Sequence, residues 1–229
     1  MTEYLFEMHA HSREVSACAH ASADQLSKLY AEKGYYGIVS TNHMNSHTFS
    51  SVGLSDAPWS VKAEHFLSGY RALKEAAGEM LTVLLGMEIT FYGDPNDYLV
   101  YGVTEDFVKN NGDLMALGNK AFSSLAHENG LIFVQAHPFR RGMRIVDWNI
   151  LDGYEVFNGN PRHDSSNEIT EHWSKLHGKR IVTSGSDFHD VGDEGTGGIF
   201  FNAAVCSNKD LVSALKNQSY TLKGHSSEM

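Results

Sequence analysis

Cysteine is nearly absent from this sequence. Only Cys18 and Cys206 occur in 229 residues, which is too few for a disulfide framework and lacks the paired spacing of a zinc finger. We therefore expect Cys18 to be a small reduced side chain. Long apolar runs are missing too: no stretch approaches the roughly 18 residues of a membrane span, and no basic segment leads into an apolar run near the N-terminus. These absences favour a cytoplasmic protein without a membrane segment.

Positive charge is also scarce. The 18 Lys and Arg residues face 28 Asp and Glu residues, which gives a formal net charge of −10. Because nucleic-acid phosphates are held by clustered Lys and Arg, we expect no stable binding to nucleic acid. No low-complexity tract, proline- or serine-rich linker or fixed-period repeat interrupts the chain. The simplest organisation is one domain over residues 1–229.

Histidine, by contrast, is abundant, with 13 residues in the chain. It is the commonest side-chain ligand for transition metals in proteins. In "FEMHAHSRE", His9 and His11 stand two residues apart at the end of an apolar run. In a strand they project from the same face. The two imidazoles could therefore bind one metal ion together, or they could lie exposed to solvent on an edge strand. The rest of the sequence must distinguish these interpretations.

Short β-prone runs alternate with segments of helical spacing, a pattern typical of βαβ units and a parallel sheet. In "SADQLSKLYAEKG", Ser22 and Gln25 predict a capping box and Gly34 predicts the end of the helix. Three further helices are predicted within "VKAEHFLSGYRALKEAAG", "DLMALGNKAFSSLAHENG" and "SSNEITEHWSKLHG". The strand candidates are "YLFEMHAH", "YYGIVSTNH", "LTVLLGMEI", "DYLVYGV", "LIFVQAHP", "GYEVFNG", "RIVTSGSDFH" and "GIFFNAAV".

Most of these apolar runs end in a side chain that can bind a metal. The sixth run reaches Glu155 and Asn158, and the ends of the others carry His9, His11, His43, Glu88, His137, Asp187 and His189. In a parallel barrel, the C-terminal ends of all strands converge on one mouth, where active sites lie. Independent surface histidines would not choose strand ends so consistently. The pattern therefore predicts a metal site.

The chemistry of these ligands indicates more than one ion. Imidazole and carboxylate without thiolate suit Zn, Mn or Fe, and the ligands outnumber what one tetrahedral ion needs, so we expect two or three metals. Glu88 can bridge two of them through its two oxygens. Two ions about 3.5 to 4 Å apart clamp the attacking and departing oxygens of a displacement and lower the pKa of bound water toward 7. Phosphate-ester hydrolysis is the reaction this serves best.

Arginines cluster beside these run ends. Four of the chain's seven fall in the loops after the fifth and sixth runs: Arg140, Arg141, Arg144 and Arg162. Their forked guanidinium groups match phosphate oxygens. Arg140, three residues after His137, is the predicted catalytic phosphate contact. Further substrate contacts are predicted at Arg144, Asn158 and Arg162. His163 is predicted to contact substrate or to donate a proton.

Taken in order, six motifs resemble those of the polymerase and histidinol phosphatase (PHP) superfamily of metal-dependent phosphoesterases: "MHAHS", "GIVSTNH", "LLGMEIT", "VQAHPFR", "GYEVFNGN" and "TSGSDFHD". The resemblance spans most of the chain and implies a distorted (β/α)7 barrel with a di- or trinuclear metal cluster. It implies a first metal at His9, His11, Asp187 and bridging Glu88. It implies a second metal at Glu88 and His137.

The third metal implied by the resemblance has His43, His189 and one ligand from the loop after His11. Glu14, in "SREVSAC", is favoured for that role, and His20, in "CAHAS", is the alternative.

Two departures from the family pattern stand out. The usual Thr-Asp-His reads "TNH" here, so Asn42 removes a carboxylate that could help to orient His43. Trimetallic members also tend to carry a histidine on the fourth strand, whereas "NDYLVYG" has none. Asp97 or water would have to fill that position.

We expect a metal-dependent phosphoesterase that hydrolyses a small phosphomonoester or a nucleotide by attack of metal-bound hydroxide, without a phosphoenzyme. Histidinol phosphate and nucleoside monophosphates are among the open substrates. One alternative is a metallo-amidohydrolase, whose barrels also begin with His-x-His but often use a carboxylated Lys that no strand end here offers. The other is a non-catalytic PHP-like interaction module, which only Asn42 supports.

Overall fold

A computed structural model gives the fold and describes residues 3–178 and 180–224. Helices and strands mix along the chain, which confirms the predicted α/β class. The strands are β1 (Tyr4–Ala10), β2 (Gly37–Ser40), β3 (His43–Met44), β4 (Thr82–Leu85), β5 (Met87–Thr90), β6 (Asp97–Tyr101), β7 (Ile132–Gln135), β8 (Gly153–Asn158), β9 (Ile181–Gly185), β10 (Gly198–Phe201) and β11 (Tyr220–Lys223). The α-helices are α1 (Ala23–Glu32), α2 (Ser46–Ser51), α3 (Trp59–Ala77), α4 (Glu105–Asn110), α5 (Gly118–Glu128), α6 (Asn167–Leu176) and α7 (Asn208–Asn217).

The described strands pair into two sheets, in the orders β11-β10-β1-β2-β4 and β3-β5-β6-β7-β8-β9. Both sheets are mixed, which corrects the prediction of a parallel sheet. β6 runs antiparallel to β5 and β7, and β10 runs antiparallel to β1 and β11. Residues 91–96 between β5 and β6 are too few for a crossover, so these strands return as a hairpin.

Two of the predicted strands are divided between the sheets. "YYGIVSTNH" forms β2 and then β3, and "LTVLLGMEI" forms β4 and then β5, so both chain segments run from the first sheet into the second. An isolated parallel bridge between Ala10 and Phe188 joins β1 to the segment after β9. Closure into a seven-stranded barrel stays a prediction, because the strand pairing defines two sheets.

The four predicted helices are confirmed as α1, α3, α5 and α6. Ser22 caps α1 with the expected capping box, accepting from the Gln25 backbone while the Gln25 side chain returns to the Ser22 backbone. Gly34 follows the helix at φ +77°, a conformation that glycine adopts without strain. Sequence periodicity did not predict α2, α4 and α7. In the described part of the chain, no helix combines the length and apolarity needed to cross a bilayer.

β9 packs closely against β1, and this contact sets the position of Asp187 relative to His9. A Cβ atom on Gly185 would lie 2.4 Å from the Cβ of His9, far inside van der Waals contact. Only glycine permits this approach. As a result, the segment that follows β9, including Asp187, passes beside the end of β1.

Candidate metal centre

The predicted strand-end ligands meet in one place. The seven side chains are His9, His11, His43, Glu88, His137, Asp187 and His189, which lie in or just after β1, β3, β5, β7 and β9. Five of them are buried, whereas His43 and His189 retain 15% and 12% of their side-chain exposure. The exposed edges of those two imidazoles face the cavity above the cluster.

Glu88 occupies the middle of the cluster. Its Oε2 lies 3.3 Å from His9 Nε2, 3.2 Å from His11 Nε2 and 2.9 Å from His43 Nδ1. Its Oε1 lies 3.1 Å from His137 Nε2. One carboxylate thus faces four imidazoles with two oxygens, the arrangement expected of a ligand that bridges two ions.

Asp187 faces the same space from the other side. Its Oδ1 is 3.4 Å from both His9 Nε2 and His11 Nε2, and 3.5 Å from His189 Nδ1. Asp187 adopts φ +51° and His137 adopts φ +28°. A non-glycine residue in such a conformation costs about 1–3 kcal/mol and persists where the surroundings fix it, commonly at functional sites.

Several of these buried atoms lie close together but form no well-aligned hydrogen bond among the described residues: His9 Nε2, His11 Nε2, His43 Nδ1 and Glu88 Oε2. Each such atom would cost about 1–3 kcal/mol if it stayed unpaired. A cation with ligand bonds of about 2.1 Å in tetrahedral geometry separates its ligand atoms by roughly 3.4 Å. The observed separations of 3.2 to 3.4 Å around His9, His11 and Asp187 match that value. The residues therefore fit a metal.

A carboxylate behind His9 determines which ring nitrogen is free. His9 Nδ1 lies 2.8 Å from Glu155 Oε1, so it donates there and leaves the Nε2 lone pair for the cluster. The second oxygen of Glu155 accepts from the backbone N–H of His137 at 3.1 Å and from Asn158 Nδ2 at 2.9 Å. Glu155 thus orients ligands from β1 and from the end of β7.

Asn42 performs a similar role for His11 through Ser16. The Ser16 hydroxyl donates to Asn42 Oδ1 at 3.0 Å, lies 3.3 Å from His11 Nδ1 and accepts the backbone N–H of His43 at 3.0 Å. Asn42 Oδ1 also accepts the backbone N–H of Ser12 at 2.8 Å. The amide oxygen therefore supplies acceptor contacts that a carboxylate could make, and it reaches His43 only through Ser16.

Glu7 was missed by the sequence analysis. Its fully buried Oε1 accepts the backbone N–H groups of Met8 and His9 at 2.9 Å and of Ser186 at 2.8 Å, and its Oε2 accepts the Tyr30 hydroxyl at 2.6 Å. Burial raises the pKa of Glu7. This carboxylate ties β1 to the segment that carries Asp187. The available signal was a lone acidic residue inside the apolar run "YLFEMHAH".

Asp97 belongs to the strand candidate "DYLVYGV", on which the motif resemblance led us to expect a histidine. It begins β6, and its Oδ2 lies 3.9 Å from His137 Nε2. Asp97, Glu88 and His137 place their ligand atoms within 4.8 Å of one another. Burial, followed by the charge of Glu88, raises the pKa of Asp97. The chain thus offers a carboxylate for the second ion.

Electrostatics also favours a cation here. Burial acts to raise the pKa of Glu88, but the imidazoles of His9 and His43 hold it well below its ordinary value. Burial likewise opposes the ionised form of Asp187, while His9 and His11 keep its pKa well below its usual range. In the metal-free protein, protonated imidazoles thus keep both carboxylates charged, and bound cations would supply that positive charge once the imidazoles act as neutral ligands.

Above the cluster lies a cavity of about 240 Å³, whose lining includes Arg140, Arg162, His163 and Cys18. Arg140 Nη2 contacts Asp187 Oδ2 and Asn158 Oδ1, each at 2.8 Å, and Ser165 Oγ at 3.1 Å. Arg140 therefore has structural partners, and its contact with phosphate stays a prediction. Asn158 holds Arg140 and Glu155 rather than lining the cavity.

The other predicted cavity residues fall in different places. Arg162 forms a bidentate ion pair with Asp193 at 2.7 to 2.8 Å, and its guanidinium also lies 3.1 Å from the carboxylate of Asp190. Arg144 is exposed and lines a separate groove near Asn96, so the structure does not bring it to the cluster. A glycine two residues earlier, Gly142 at φ +100°, turns the chain before Arg144.

Neither candidate for the loop ligand reaches the cluster. Both oxygens of Glu14 accept the backbone N–H of Ala23, at 3.0 and 3.2 Å, because the first turn of α1 presents unpaired N–H groups there. His20 is exposed and its Nδ1 lies 2.6 Å from Asp190 Oδ1. The loop instead presents Cys18, which lines the cavity with His43 and His189. These two imidazoles lower the pKa of Cys18 to about 6 against the opposing effect of burial.

Solved structures share this fold. A two-domain protein from Bacteroides vulgatus, described as containing a predicted PHP-like metal-dependent phosphoesterase, matches at TM-score 0.72 and 18% identity over 98% of this chain. PsfC from Pseudomonas syringae matches at TM-score 0.69 and 14% identity, over 99% of this chain and 93% of its own. A Bifidobacterium adolescentis protein, described provisionally as a metal-dependent phosphoesterase, matches at TM-score 0.50 and 15% identity, over 92% and 95%.

The chain spans 65% of the length of the Bacteroides vulgatus protein. No protein-family model and no curated protein matches the sequence. The fold is nevertheless shared with structures described as metal-dependent phosphoesterases, one of them PHP-like, which agrees with the fold that the motif resemblance implies.

Proposed function

We propose that this protein is a metal-dependent phosphoesterase that hydrolyses a small phosphomonoester at a cluster of two or three divalent transition metals, Zn, Mn or Fe. The observation that carries the proposal is the set of buried, unpaired nitrogen and oxygen atoms that converge around Glu88 and Asp187. Among the described residues these atoms lie 2.9 to 3.4 Å from one another without forming well-aligned hydrogen bonds, whereas cations between them would satisfy them. The similarity of the fold to PHP-like metal-dependent phosphoesterases supports the same assignment.

The first ion would be held by His9, His11, Asp187 and Glu88, and the second by Glu88, His137 and Asp97. The third would be held by His43, His189 and a further group. When bound, such ions act as Lewis acids toward phosphoryl oxygens and make water more acidic. Glu155 and Ser16 would keep His9 and His11 in the tautomers that aim Nε2 at the ions.

The residues at the cavity wall would bind the phosphate. Arg140 lines the cavity beside Asp187, and its fork matches phosphate oxygens. Its contacts with Asn158 and Ser165 hold the guanidinium in place before substrate arrives. His163 and Arg162, on the same wall, would contact the leaving group or the remaining phosphate oxygens.

The size of the cavity favours a small substrate over a nucleotide. Its volume of about 240 Å³ lies below the roughly 300–1,000 Å³ of typical ligand pockets. A phosphate and a few further heavy atoms fit that space. A nucleotide would have to extend out over the loops that surround it.

The amidohydrolase alternative has less support. The lining of the cavity within the described residues contains no Lys that could be carboxylated. The interaction-module alternative rested on Asn42, whose oxygen makes acceptor contacts of the kind a carboxylate would make. The interaction-module alternative leaves the unpaired ligand atoms without a role. A metallo-amidohydrolase would use them as a phosphoesterase does, so a substrate panel distinguishes these two.

The test combines metal analysis with a substrate panel. Protein reconstituted with Mn, Zn or Fe is expected to retain at least two equivalents of metal and to hydrolyse phosphomonoesters faster than phosphodiesters, amides or lactones. Chelation should abolish that activity, and returning the metal should restore it. Fewer than one retained equivalent, or turnover of amides alone, would refute the proposal.

A further inference from the structure

Hydrogen bonds hold the loop between β1 and α1 against the cluster on both sides of Cys18. On one side, the Ser16 hydroxyl bonds to Asn42 and accepts the backbone N–H of His43. On the other side, the backbone N–H groups of His20 and Ala21 donate to the carbonyl of His189 at 3.1 and 3.2 Å. The position of Cys18 is therefore set by the same groups that place His43 and His189.

Cys18 lines the same cavity as both of those imidazoles. A second observation points to a ligand at the same place. His11 is fully buried, its Nε2 has no hydrogen-bond partner within the described residues, and it joins His43 and His189 in a group whose ligand atoms lie within 4.8 Å of one another.

We propose that Cys18 is a metal ligand whose thiolate, with His43 and His189, completes the third position of the cluster. The inference rests on the proposed function, because it needs the neighbouring ions. The Glu14 carboxylate accepts the backbone N–H of Ala23 at the N-terminus of α1, and the exposed His20 pairs with Asp190. Among the described residues of this loop, Cys18 is the ligand-type side chain that faces the cluster.

A thiolate changes which ion the position prefers. Thiolate ligands favour zinc and iron, whereas sites built only from carboxylate, carbonyl and water suit manganese. A position made of one thiolate and two imidazoles therefore selects Zn²⁺ or Fe²⁺ over Mn²⁺. The neighbouring position at Asp97, Glu88 and His137 has two carboxylates and no sulfur, so it discriminates less against Mn²⁺. The expected result is a cluster of two unlike positions.

The test compares the wild type with Cys18→Ser and with Cys206→Ser as the matched control. Both cysteines are exposed, but Cys206 lies 3.6 Å from Tyr36 Oη and outside the cavity above the cluster. Each protein is loaded with Co²⁺ and its near-ultraviolet absorption is recorded. A thiolate-to-cobalt charge-transfer band is expected in the wild type and in Cys206→Ser, and it should be absent from Cys18→Ser. Cys18→Ser should also bind one Zn²⁺ more weakly by at least roughly tenfold, the scale of even an outer-shell loss.

A second measurement needs no variant of Cys18. Iodoacetamide labels the wild type with and without Zn²⁺, and peptide mass spectrometry follows each cysteine separately. Zn²⁺ should protect Cys18 and leave the labelling of Cys206 unchanged. If the protein binds at least two equivalents of metal while Cys18 stays equally reactive and no charge-transfer band forms, Cys18 is not a ligand and the proposed function stands. If the protein binds no metal, both proposals fail.

Discussion

Arg140 and Asp187 form an ion pair in which each oxygen of the carboxylate has a different task. Asp187 Oδ2 accepts from Arg140 Nη2 at 2.8 Å, while Oδ1 faces the imidazole nitrogens of His9 and His11 at 3.4 Å. The residue proposed to bind phosphate is thereby tied to a proposed metal ligand. Substrate binding and metal binding share this carboxylate.

Arg140→Ala should lower kcat/KM by roughly ten- to a hundredfold, since a charge-assisted contact contributes about 1.5–3 kcal/mol. Arg140→Lys should recover part of the loss, because lysine keeps the positive charge but lacks the planar guanidinium that can donate two parallel hydrogen bonds. Metal content should fall less than activity, since Oδ1 of Asp187 still faces the cluster. The measurements are kcat/KM and metal stoichiometry. Arg141→Ala, exposed in the same loop, is the control, and equal losses in both variants would contradict the assignment.

Glu88→Gln should reduce metal affinity by more than roughly a hundredfold, because it removes the central charge and even outer-shell losses cost 10–100-fold. The control is Glu14→Gln, whose amide oxygen can still accept the Ala23 N–H. That change should leave metal content intact and cost about 0.3–1 kcal/mol of stability through the helix dipole. Metal titration and urea unfolding check both results. A loss of metal in Glu14→Gln would restore Glu14 as the loop ligand.

Asn42→Asp should strengthen metal binding and change kcat/KM by less than about tenfold. The acceptor oxygen toward Ser12 and Ser16 remains, and a negative charge is added near His11. Asn202→Asp, in an exposed turn after β10, provides the same charge away from the cluster. Should Asn42→Asp create activity in an inactive wild type, the interaction-module alternative would be correct.

His163 should titrate below its ordinary value near 6.5. Partial desolvation at the cavity wall, followed by the positive charge of Arg140, lowers the pKa of His163 because both disfavour the imidazolium form. His163 is thus neutral at pH 7, and any acid limb of kcat/KM due to it lies below pH 6.5. NMR titration of the imidazole should show the pKa rising in Arg140→Ala. An unchanged pKa in that variant would place Arg140 farther from His163 than the structure does.

Glu7→Ala should reduce the free energy of unfolding by roughly 3 kcal/mol or more, because three backbone N–H groups and the Tyr30 hydroxyl lose their acceptor. Glu7→Gln keeps one acceptor oxygen and should lose less. Both changes should weaken metal binding, since Glu7 ties the backbone of His9 to Ser186. Urea unfolding of the metal-free proteins measures the first effect, and metal titration measures the second. A fully stable Glu7→Ala would show that water replaces the carboxylate.

The sequence by itself determined the ligand types and where they occur. A two-residue spacing places His9 and His11 on one face, and apolar runs that end in His43, Glu88, His137 and Asp187 indicate strand ends that converge. These are local rules, because the repeat of a strand and the length of an apolar run can be read without knowing what packs against them. The capping box of Ser22 and Gln25 belongs to the same kind of inference.

Only the tertiary structure decided which nearby groups are used. Glu14 and Cys18 lie four residues apart in one loop, and both are plausible ligands by chemistry. A backbone N–H at the N-terminus of α1 donates to Glu14. Hydrogen bonds from the loop backbone to the His189 carbonyl hold the loop so that Cys18 lines the cavity above the cluster. The pairing of Arg140 with Asp187 and that of Glu7 with Tyr30 also join residues more than 20 positions apart in the chain. Such contacts have no local signature, since they are set by how β1, β9 and the loops pack together.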